Sequence, residues 1–268
     1  MGERSERAGE VAPTPGWPDE EGQVRNEPST AGGKPGGEGA ADAAAGIIAI
    51  DGPAGSGKST VARTVADRLD LPYLDTGAMY RAVAFAALRR GIDPEDRDAV
   101  ARLARGVDLS VESGVVTVDG VDASIEVRGP EVTRAVSAVA ANPDVRAELV
   151  ARQRRWAAER GGGVVEGRDI GTVVFPAARL KVYLTASHEA RSERRAKEAS
   201  DLTYDSVAAD IARRDHADST RSDDPLQVAA DAVVLDTTGL SVDDVVAEVL
   251  DRVAQAGAAR PSGGERTP

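Results

Sequence analysis

One stretch of this 268-residue sequence decides its fold: Gly52-Pro53-Ala54-Gly55-Ser56-Gly57-Lys58-Ser59-Thr60. The stretch contains the pattern G-x-x-x-x-G-K-S. It lies directly after the apolar run 47–50 and directly before a segment of helical period that ends at Leu69. Glycines at these positions allow successive backbone N–H groups to face phosphate oxygens, and the start of the helix adds positive potential at the same place. The pattern and its context therefore predict a phosphate-binding loop for ATP or GTP. The alternative is an ordinary glycine-rich connection between a strand and a helix.

Two side chains of this loop suit the phosphates and their metal ion. Lys58 is expected to reach the β- and γ-phosphates, and the Ser59 hydroxyl is expected to bind Mg²⁺. We therefore expect residues 52–60 to bind ATP or GTP, with Mg²⁺ as the cofactor. Motors, switches and small-molecule kinases share this loop, so the reaction has to be inferred from the rest of the sequence.

Short apolar runs alternate with helix-period segments along the chain. The predicted strands are Ile47 to Ile50, Pro72 to Leu74, Val164 to Val165, Leu180 to Leu184 and Ala232 to Leu235. The predicted helices are Gly57 to Leu69, Gly77 to Arg90, Pro94 to Arg105, Glu131 to Ala141, Asp144 to Arg160, Ser187 to Glu198, Tyr204 to Arg213 and Val242 to Val253. This alternation predicts an α/β fold with a parallel five-stranded sheet flanked by helices.

One segment departs from that alternation. Residues 107–127 read VDLSVESGVVTVDGVDASIEV, in which apolar and polar residues alternate. Ser113-Gly114 and Asp119-Gly120 within it are favourable hairpin turns. We therefore expect a small antiparallel insert in the parallel fold.

The two ends of the chain differ in composition from its middle. Residues 1–45 are rich in Gly, Pro, Glu, Ser and Ala and contain few large apolar residues. They lack the apolar core of a secretory signal and the Arg-rich, acid-poor character of a transit peptide. Residues 255–268 have a similar composition. We expect both ends to be disordered and the folded domain to span residues 46–254.

The composition excludes several classes of chemistry. The chain has no cysteine, which rules out thiol catalysis and thiolate zinc sites, and its two histidines, His188 and His216, are expected at the surface. A net charge of -12 disfavours nucleic-acid binding, and no apolar run approaches the roughly 18 residues of a membrane span. We expect a cytoplasmic monomer with no nucleic-acid or membrane partner.

A second motif follows the second predicted strand: Leu74-Asp75-Thr76-Gly77-Ala78-Met79-Tyr80-Arg81. Thr76 is expected to cap the next helix, which carries Arg81 near its start. A helix start with an arginine is a suitable anion site. The alternative is an ordinary turn followed by a solvent-exposed arginine.

Taken with the phosphate-binding loop, LDTGAMYRAVA resembles the bacterial cytidylate kinases, a family of P-loop nucleoside monophosphate kinases. AVSAVAANPDVRAELVARQR, VVEGRDIGTVVFP and RRDHADSTR resemble the same family, and the resemblance runs from about Ile47 to Val253. It implies ATP-dependent phosphorylation of CMP and dCMP to CDP and dCDP. It also implies that the antiparallel insert helps to bind the monophosphate.

The resemblance implies an acceptor site around the segment Gly167-Arg168-Asp169. Arg168 would bind the monophosphate. The Asp169 carboxylate would accept a hydrogen bond from the N4 amino group of cytosine, a donor that uracil lacks. Arg81 would share the phosphate with Arg168, and Thr76 would add a hydroxyl.

The same resemblance implies that Ser137 and Arg146 complete the base pocket. Alternatively, Ser137 would face the helix interior and Arg146 would pair with Glu148 at the surface. Glu166 would hold the hydration shell of Mg²⁺, or it would simply be a turn residue at the end of a strand.

Residues 213–221 resemble the family's mobile lid. Arg214 and Arg221 would bind the phosphates in transfer, and Asp218 would bind a ribose hydroxyl. A lid that closes over the substrates excludes water before charge is redistributed. The alternative is a loop of salt bridges. A further basic stripe would serve the ATP side or face solvent, and its members are Arg191, Arg194 and Arg195.

The acceptor phosphate of such a reaction is already an oxyanion, so we predict no general base. Catalysis would depend on in-line positioning and on neutralisation of charge by Lys58, Arg81, Arg168, Arg214 and Arg221. Two alternatives stay open at this stage. One is a kinase for a different small acceptor, and the other is a regulator that binds ATP without turnover.

Overall fold

The computed structural model describes residues 44–112, 114–198 and 203–258. Its strands are β1 (Ile47–Asp51), β2 (Tyr73–Asp75), β3 (Leu109–Glu112), β4 (Val115–Val118), β5 (Val121–Asp122), β6 (Gly163–Gly167), β7 (Leu180–Thr185) and β8 (Val233–Asp236). Five of them form a parallel sheet in the order β2-β6-β1-β7-β8. The predicted five-stranded parallel sheet is confirmed.

After the helical residues 44 and 45, eight α-helices accompany the strands in the described part of the chain. They are α1 (Lys58–Leu69), α2 (Thr76–Arg89), α3 (Arg97–Gly106), α4 (Pro130–Ala140), α5 (Pro143–Arg160), α6 (His188–Glu198), α7 (Tyr204–Thr220) and α8 (Val242–Ala258). None of these described helices combines the length and apolarity needed to cross a bilayer.

The core consists of two apolar layers, one on each face of the sheet. Every residue of β1 is buried, and alternate side chains of a strand point to opposite faces. Ile47 therefore packs in one layer with Val83 of α2, while Ile48 packs in the other with Val65 of α1 and Val249 of α8. Burial of both faces explains why the β1 sequence is continuously apolar rather than alternating.

The strand order determines where a ligand would bind. β1 lies at the centre of the sheet, with β6 on one side and β7 on the other. The chain leaves β1 into the phosphate-binding loop and leaves β6 into Arg168 and Asp169. Because parallel strands have their carboxyl ends at one edge, the two predicted binding segments lie next to each other there.

The predicted antiparallel insert is confirmed as the three-stranded sheet β3-β4-β5. Asp119 and Gly120 both have positive φ, at 50° and 77°, as expected for the turn between β4 and β5. Of the other predicted turn, Ser113 lies outside the described residues. Val116 and Val118 are buried in the same apolar layer as α2, so the insert is attached to the core.

Several element boundaries differ from the predictions for local reasons. The cap of α2 is Asp75, whose carboxylate accepts from the N–H of Ala78 at 3.0 Å, so the prediction that Thr76 caps this helix was wrong. Helix α7 continues to Thr220 instead of ending at Arg213. Helix α8 continues to Ala258, beyond the predicted end of the folded domain at residue 254.

The amino-terminal boundary also moves slightly. Ala44 and Ala45 are helical and Ala44 packs against the core, although both were predicted to be disordered. The rest of the predicted amino-terminal extension, residues 1–43, and residues 259–268 of the predicted tail lie outside the described residues.

Deletion of residues 1–43 should leave the Tm nearly unchanged, because this segment has few large apolar side chains with which to join a core. Differential scanning fluorimetry on the truncated chain would measure the Tm. A longer deletion, through residue 50, removes most of β1 and should prevent folding. A fall of many degrees in Tm for the shorter deletion would show that residues 1–43 contribute to the folded domain.

Candidate functional site

The phosphate-binding loop has positive φ at three glycines, Gly52, Gly55 and Gly57. Gly52 has φ +149°, and a Cβ atom there would lie 2.1 Å from the carbonyl oxygen of Leu184. Gly57 has φ +89° and is the residue from which α1 begins. The loop therefore turns sharply out of β1 and into the amino terminus of α1, where backbone N–H groups are free of helical partners.

Lys58 and Ser59, the first two residues of α1, are held at the mouth of the loop. The Lys58 ammonium group donates to the carbonyl oxygen of Pro53 at 2.7 Å. The Ser59 hydroxyl donates to Glu166 Oε2 at 3.0 Å, and the Tyr73 hydroxyl donates to Glu166 Oε1. Glu166 lies within β6 and contacts Ser59, so the alternative of a strand-end turn residue was wrong.

The pair of Ser59 and Glu166 suits a hard divalent cation. Both offer oxygen atoms, they lie in hydrogen-bond contact beside Lys58, and both line the same cleft. Within residues 44–112, 114–198 and 203–258, no group of three or more His, Asp or Glu side chains could hold a metal ion unaided. Any Mg²⁺ would therefore need ligands from water and from nucleotide phosphates as well.

Thr76 and Arg81 connect α2 to the neighbouring segments. The Thr76 hydroxyl donates to the backbone carbonyl of Glu166 at 2.7 Å. Arg81 Nη1 donates to the carbonyl of Val127 and to the Thr133 hydroxyl, each at 3.0 Å. Arg81 is therefore positioned by the segment after the antiparallel insert, and the alternative of a solvent-exposed arginine was wrong.

The carboxyl-terminal half of α7 forms one wall of the site. Arg214, Asp218 and Arg221 are spaced by four and three residues, which places them on one side of the helix and its end. All three line the cleft. Arg168 Nε donates to Asp218 Oδ2 at 2.7 Å, so this wall contacts the segment after β6 directly. The residues predicted to form a lid are thus helical except for Arg221.

Arg146 and Asp169, two of the residues predicted to bind the base, lie in contact with each other. Arg146 is 3% exposed and donates through Nη2 to Asp169 Oδ2, and its guanidinium lies 5.9 Å from the centre of the Tyr80 ring. A surface pair between Arg146 and Glu148 was therefore wrong, since Glu148 pairs with Arg152.

One cleft of about 840 Å³ unites nearly all of the predicted site residues. Its lining includes Ala54, Gly55, Ser56, Gly57, Lys58, Ser59, Thr60, Thr76, Arg81, Ser137, Arg146, Arg168, Asp169, Arg214, Asp218 and Arg221. Two predicted ATP-binding residues do not line it. Gly52 lies against Leu184, and Pro53 contributes its carbonyl to Lys58.

The cleft concentrates positive charge that the protein does not fully neutralise. Burial lowers the pKa of Lys58, and the neighbouring Arg168 lowers it further. Burial and the charge of Arg214 lower the pKa of Arg81 to about 9. The pKa of Arg214 is lowered by burial and by Arg168, and that of Arg221 by burial and by Arg146. A site in which several cations disfavour one another is suited to a highly charged anion.

Two arginines of the predicted basic stripe contact residues around the phosphate-binding loop, and one of their partners was missed by sequence reasoning. Arg191 was predicted either to serve the ATP side or to belong to a solvent-exposed stripe. It is buried, and Nη1 donates to the carbonyl of Ala54 at 3.0 Å and to Asp215 at 2.5 Å. Arg194 donates to the Thr237 hydroxyl at 2.8 Å. Thr237 and the following residues 240–242 line the cleft, and nothing in their sequence had indicated this.

Asp51 was also missed, although it directly precedes the phosphate-binding loop. Its two carboxylate oxygens accept from the N–H groups of Ile170 at 2.9 Å and Gly171 at 2.8 Å. These residues begin the one-turn π-helix 170–174 that follows Asp169. Asp51 thereby fixes the segment after β6 against the end of β1. Neither histidine lies in the cleft lining. His216 is exposed, whereas His188 is half-buried and not a simple surface residue.

The fold and this site define a P-loop kinase of the α/β class. The family model described as "Cytidylate kinase" matches residues 48–255. A cytidylate kinase from Rhodococcus jostii is 51% identical over 212 residues, which cover 76% of this chain and 93% of the relative. One from Mycobacterium leprae is 49% identical over 213 residues, covering 78% and 96%. A bifunctional pantoate ligase/cytidylate kinase from Synechocystis is 50% identical over 218 residues, covering 76% of this chain but 42% of that longer protein. The chain belongs to the cytidylate kinase family.

The buried Asp51 should make stability depend on pH. Burial raises its folded-state pKa from 3.8 to about 6. A carboxyl whose folded pKa is raised stabilises the fold below pH 3.8, and this contribution is lost as pH rises through about 6. The free energy of unfolding decreases by about 3 kcal/mol over this rise in pH, and roughly half of the decrease occurs above pH 5. We compare the free energy of unfolding of the wild type with that of Asp51→Asn, both measured by urea titration. The wild-type value minus the variant value should therefore decrease as the pH rises from 5 to 7.5.

Asp122 provides a control of the opposite kind. Its pKa is lowered by hydrogen bonds from the hydroxyl and N–H of Ser124, so its contribution is fully present above pH 5. The difference between the wild type and Asp122→Asn should stay flat over the same range. A flat difference for Asp51→Asn as well would show that burial does not raise the Asp51 pKa.

Proposed function

We propose that this chain transfers the γ-phosphate of ATP to CMP or dCMP, forming ADP and CDP or dCDP. The observation that carries the proposal is the buried pair of Arg146 and Asp169 in the wall of a cleft that also contains the phosphate-binding loop. The pair offers a donor beside an acceptor, which complements the N3 and N4 edge of cytosine. Uracil presents an N–H donor and a carbonyl at those positions and is mismatched.

We further propose the following roles for the site residues. The loop 52–60 binds ATP, and Ser59 would bind Mg²⁺ with Glu166 holding its hydration shell. When bound, Mg²⁺ supplies charge neutralisation between the β- and γ-phosphates. Thr76, Arg81 and Arg168 hold the acceptor phosphate. Ser137, Arg146 and Asp169 hold the cytosine, and Asp218 holds the ribose.

The transfer itself needs positioning and charge compensation. An oxygen of the acceptor phosphate attacks the γ-phosphorus as the bond to the β-γ bridging oxygen breaks, and ADP leaves with that oxygen. Because the attacking oxygen is already anionic, no side chain has to remove a proton. Lys58, Arg81, Arg168, Arg214 and Arg221 would neutralise the charge that is redistributed in this step. Two buried donors in the cleft, the hydroxyl of Ser56 and Nη2 of Arg221, have no hydrogen-bond partner among the described residues and support a polar ligand there.

Lys58→Ala should separate catalysis from stability. We expect kcat to fall by about 10² to 10³-fold, because the ammonium group would act on charge that develops during transfer. The Tm should change little, since removal of Lys58 also relieves its repulsion with Arg168. Steady-state kinetics and thermal melting on the same preparation measure the two effects. Undiminished turnover would refute the assignment of the phosphate-binding loop.

Acceptor choice should depend on Asp169 and phosphate binding on Arg168. Asp169→Asn should lower kcat/KM for CMP by about 1 to 3 kcal/mol in free-energy terms, because the charge-assisted hydrogen bond to the N4 amino group is lost. The kcat/KM of the same variant for UMP should fall by less. Arg168→Ala should lower kcat/KM by similar factors for CMP, dCMP, UMP and AMP, since the phosphate is common to all four acceptors.

Kinetics of the wild type with these four acceptors and ATP-Mg²⁺ test the proposal as a whole. A chain that phosphorylated another acceptor in preference to CMP would be a kinase of different specificity. A chain that bound ATP without any acceptor-dependent turnover would be a regulator. If Asp169→Asn lowered CMP and UMP equally, Asp169 would organise the site without reading the base.

A further inference from the structure

Arg146 is bound on two sides by carboxylates, of which only one belongs to the cleft. Asp169, which lines the cleft, accepts from Nη2. Asp224, which does not, accepts at Oδ2 from Nε at 3.0 Å and from Nη2 at 2.9 Å. Asp224 therefore covers the Nε–Nη2 edge of the guanidinium. The remaining nitrogen, Nη1, has no acceptor among the described residues.

Asp224 belongs to the segment that follows α7, and this segment is itself fixed. Its backbone carbonyl accepts from Arg221 Nε at 2.7 Å. The N–H of Leu226 donates to the carbonyl of Asp218 at 2.8 Å, which folds the segment back on the end of α7. Asp224 has φ +49°, a left-handed conformation that aspartate adopts more readily than most residues. Through its side chain and backbone, Asp224 thus joins the base pocket to the wall formed by α7.

The charges around Arg146 balance only when Asp224 is included. Arg146 and Arg221 lie on two sides of Asp169, since Arg221 Nη2 is 3.9 Å from Asp169 Oδ1. With Asp169 as the only carboxylate between the guanidinium groups of Arg146 and Arg221, one positive charge would remain uncompensated in this buried part of the protein. Asp224 supplies the second carboxylate while remaining 34% exposed at its side chain. Without it, the two arginines would repel each other more strongly and Arg146 would be held by one partner.

We propose that Asp224 is a positioning residue for acceptor recognition, which holds Arg146 so that its Nη1 side faces the base while Asp169 remains available to the cytosine amino group. The inference rests on the proposed function, because it assumes that the Arg146 and Asp169 pair binds cytosine. It assigns to Asp224 no contact with either substrate. Asp224 acts on the reaction only through Arg146 and Arg221.

Asp224→Asn tests this role with little change of shape. Asparagine tolerates the left-handed conformation and keeps one carbonyl oxygen, but it loses the charge that opposes Arg146. We expect the KM for CMP to rise about 10-fold and the preference for CMP over UMP to shrink, because hydrogen bonds to charged groups have that order of effect. The kcat at saturating CMP and the KM for ATP should change less than about 2-fold.

Asp223→Asn is the matched control, because Asp223 is the adjacent carboxylate, is exposed, and bonds Ser222 instead of Arg146. It should leave both KM values and the preference unchanged. Asp224→Glu restores the charge on a longer stem and should recover part of the CMP affinity. Thermal melting of each variant identifies any general loss of folding.

The outcomes separate the inference from the function on which it rests. A wild-type chain that does not phosphorylate CMP overturns both. A wild type active on CMP, together with an Asp224→Asn variant whose KM for CMP and preference over UMP are unchanged, overturns only the role of Asp224. Equal losses for CMP, UMP and ATP in Asp224→Asn also overturn it, because they indicate a structural residue. A selective rise in the KM for CMP that the control does not share supports it.

Discussion

Glu166 connects the parts of the site to one another. Its carboxylate accepts from Ser59 on α1 and from Tyr73 on β2, and its backbone carbonyl accepts from Thr76 at the start of α2. The phosphate-binding loop and the segment after β2 are thereby fixed relative to β6, from which Arg168 and Asp169 follow. Such a residue can form these contacts only because β6 lies between β1 and β2 in the sheet. Burial, together with the nearby Asp75, raises the pKa of Glu166, as expected for a carboxyl enclosed among its partners.

Among the described residues, the cleft combines cations that pair with a carboxylate and cations that do not. Arg168 is paired with Asp218, which holds the pKa of the arginine above its usual value despite burial. Lys58, Arg81 and Arg214 have lowered pKa values, because burial and mutual repulsion are not offset by carboxylates. This arrangement is costly in the empty protein, and an anionic ligand relieves it. The whole sequence has a net charge of -12, so this group of buried cations contrasts in sign with the chain as a whole.

The sequence predicted the parts of this structure that depend on neighbouring residues. The phosphate-binding loop, the five parallel strands and the antiparallel insert all follow from short patterns, and each is confirmed. Where two local signals compete, prediction was less reliable. Asp75 and Thr76 are both good capping residues, and the earlier one forms the cap. The cluster from Arg213 to Thr220 reads as a polar loop, yet it continues α7.

Long-range contacts could not be predicted in the same way. Asp51 binds the N–H groups of Ile170 and Gly171, which lie 119 and 120 positions further along the chain. Asp224 binds Arg146, which lies 78 positions earlier. A single sequence contains no signal for such pairs, because nothing in the spacing of the two residues relates one to the other. The family resemblance supplied the residues of the cleft wall, but not these supports behind it.

The position of β1 has a consequence for how the chain acquires its fold. β1 pairs with β6 and β7 and with neither β2 nor any other strand that is near it in sequence, so that Ile47 lies opposite Gly163 and Ile48 opposite Leu180. Among the described strands, the fully buried β1 is synthesised first, and the strands that pair with its two edges begin more than a hundred residues later. Closing loops of this length before any pairing energy is gained slows folding. An incomplete chain that ends before residue 163 therefore exposes an apolar strand with two open edges, which is a template for aggregation until β6 arrives.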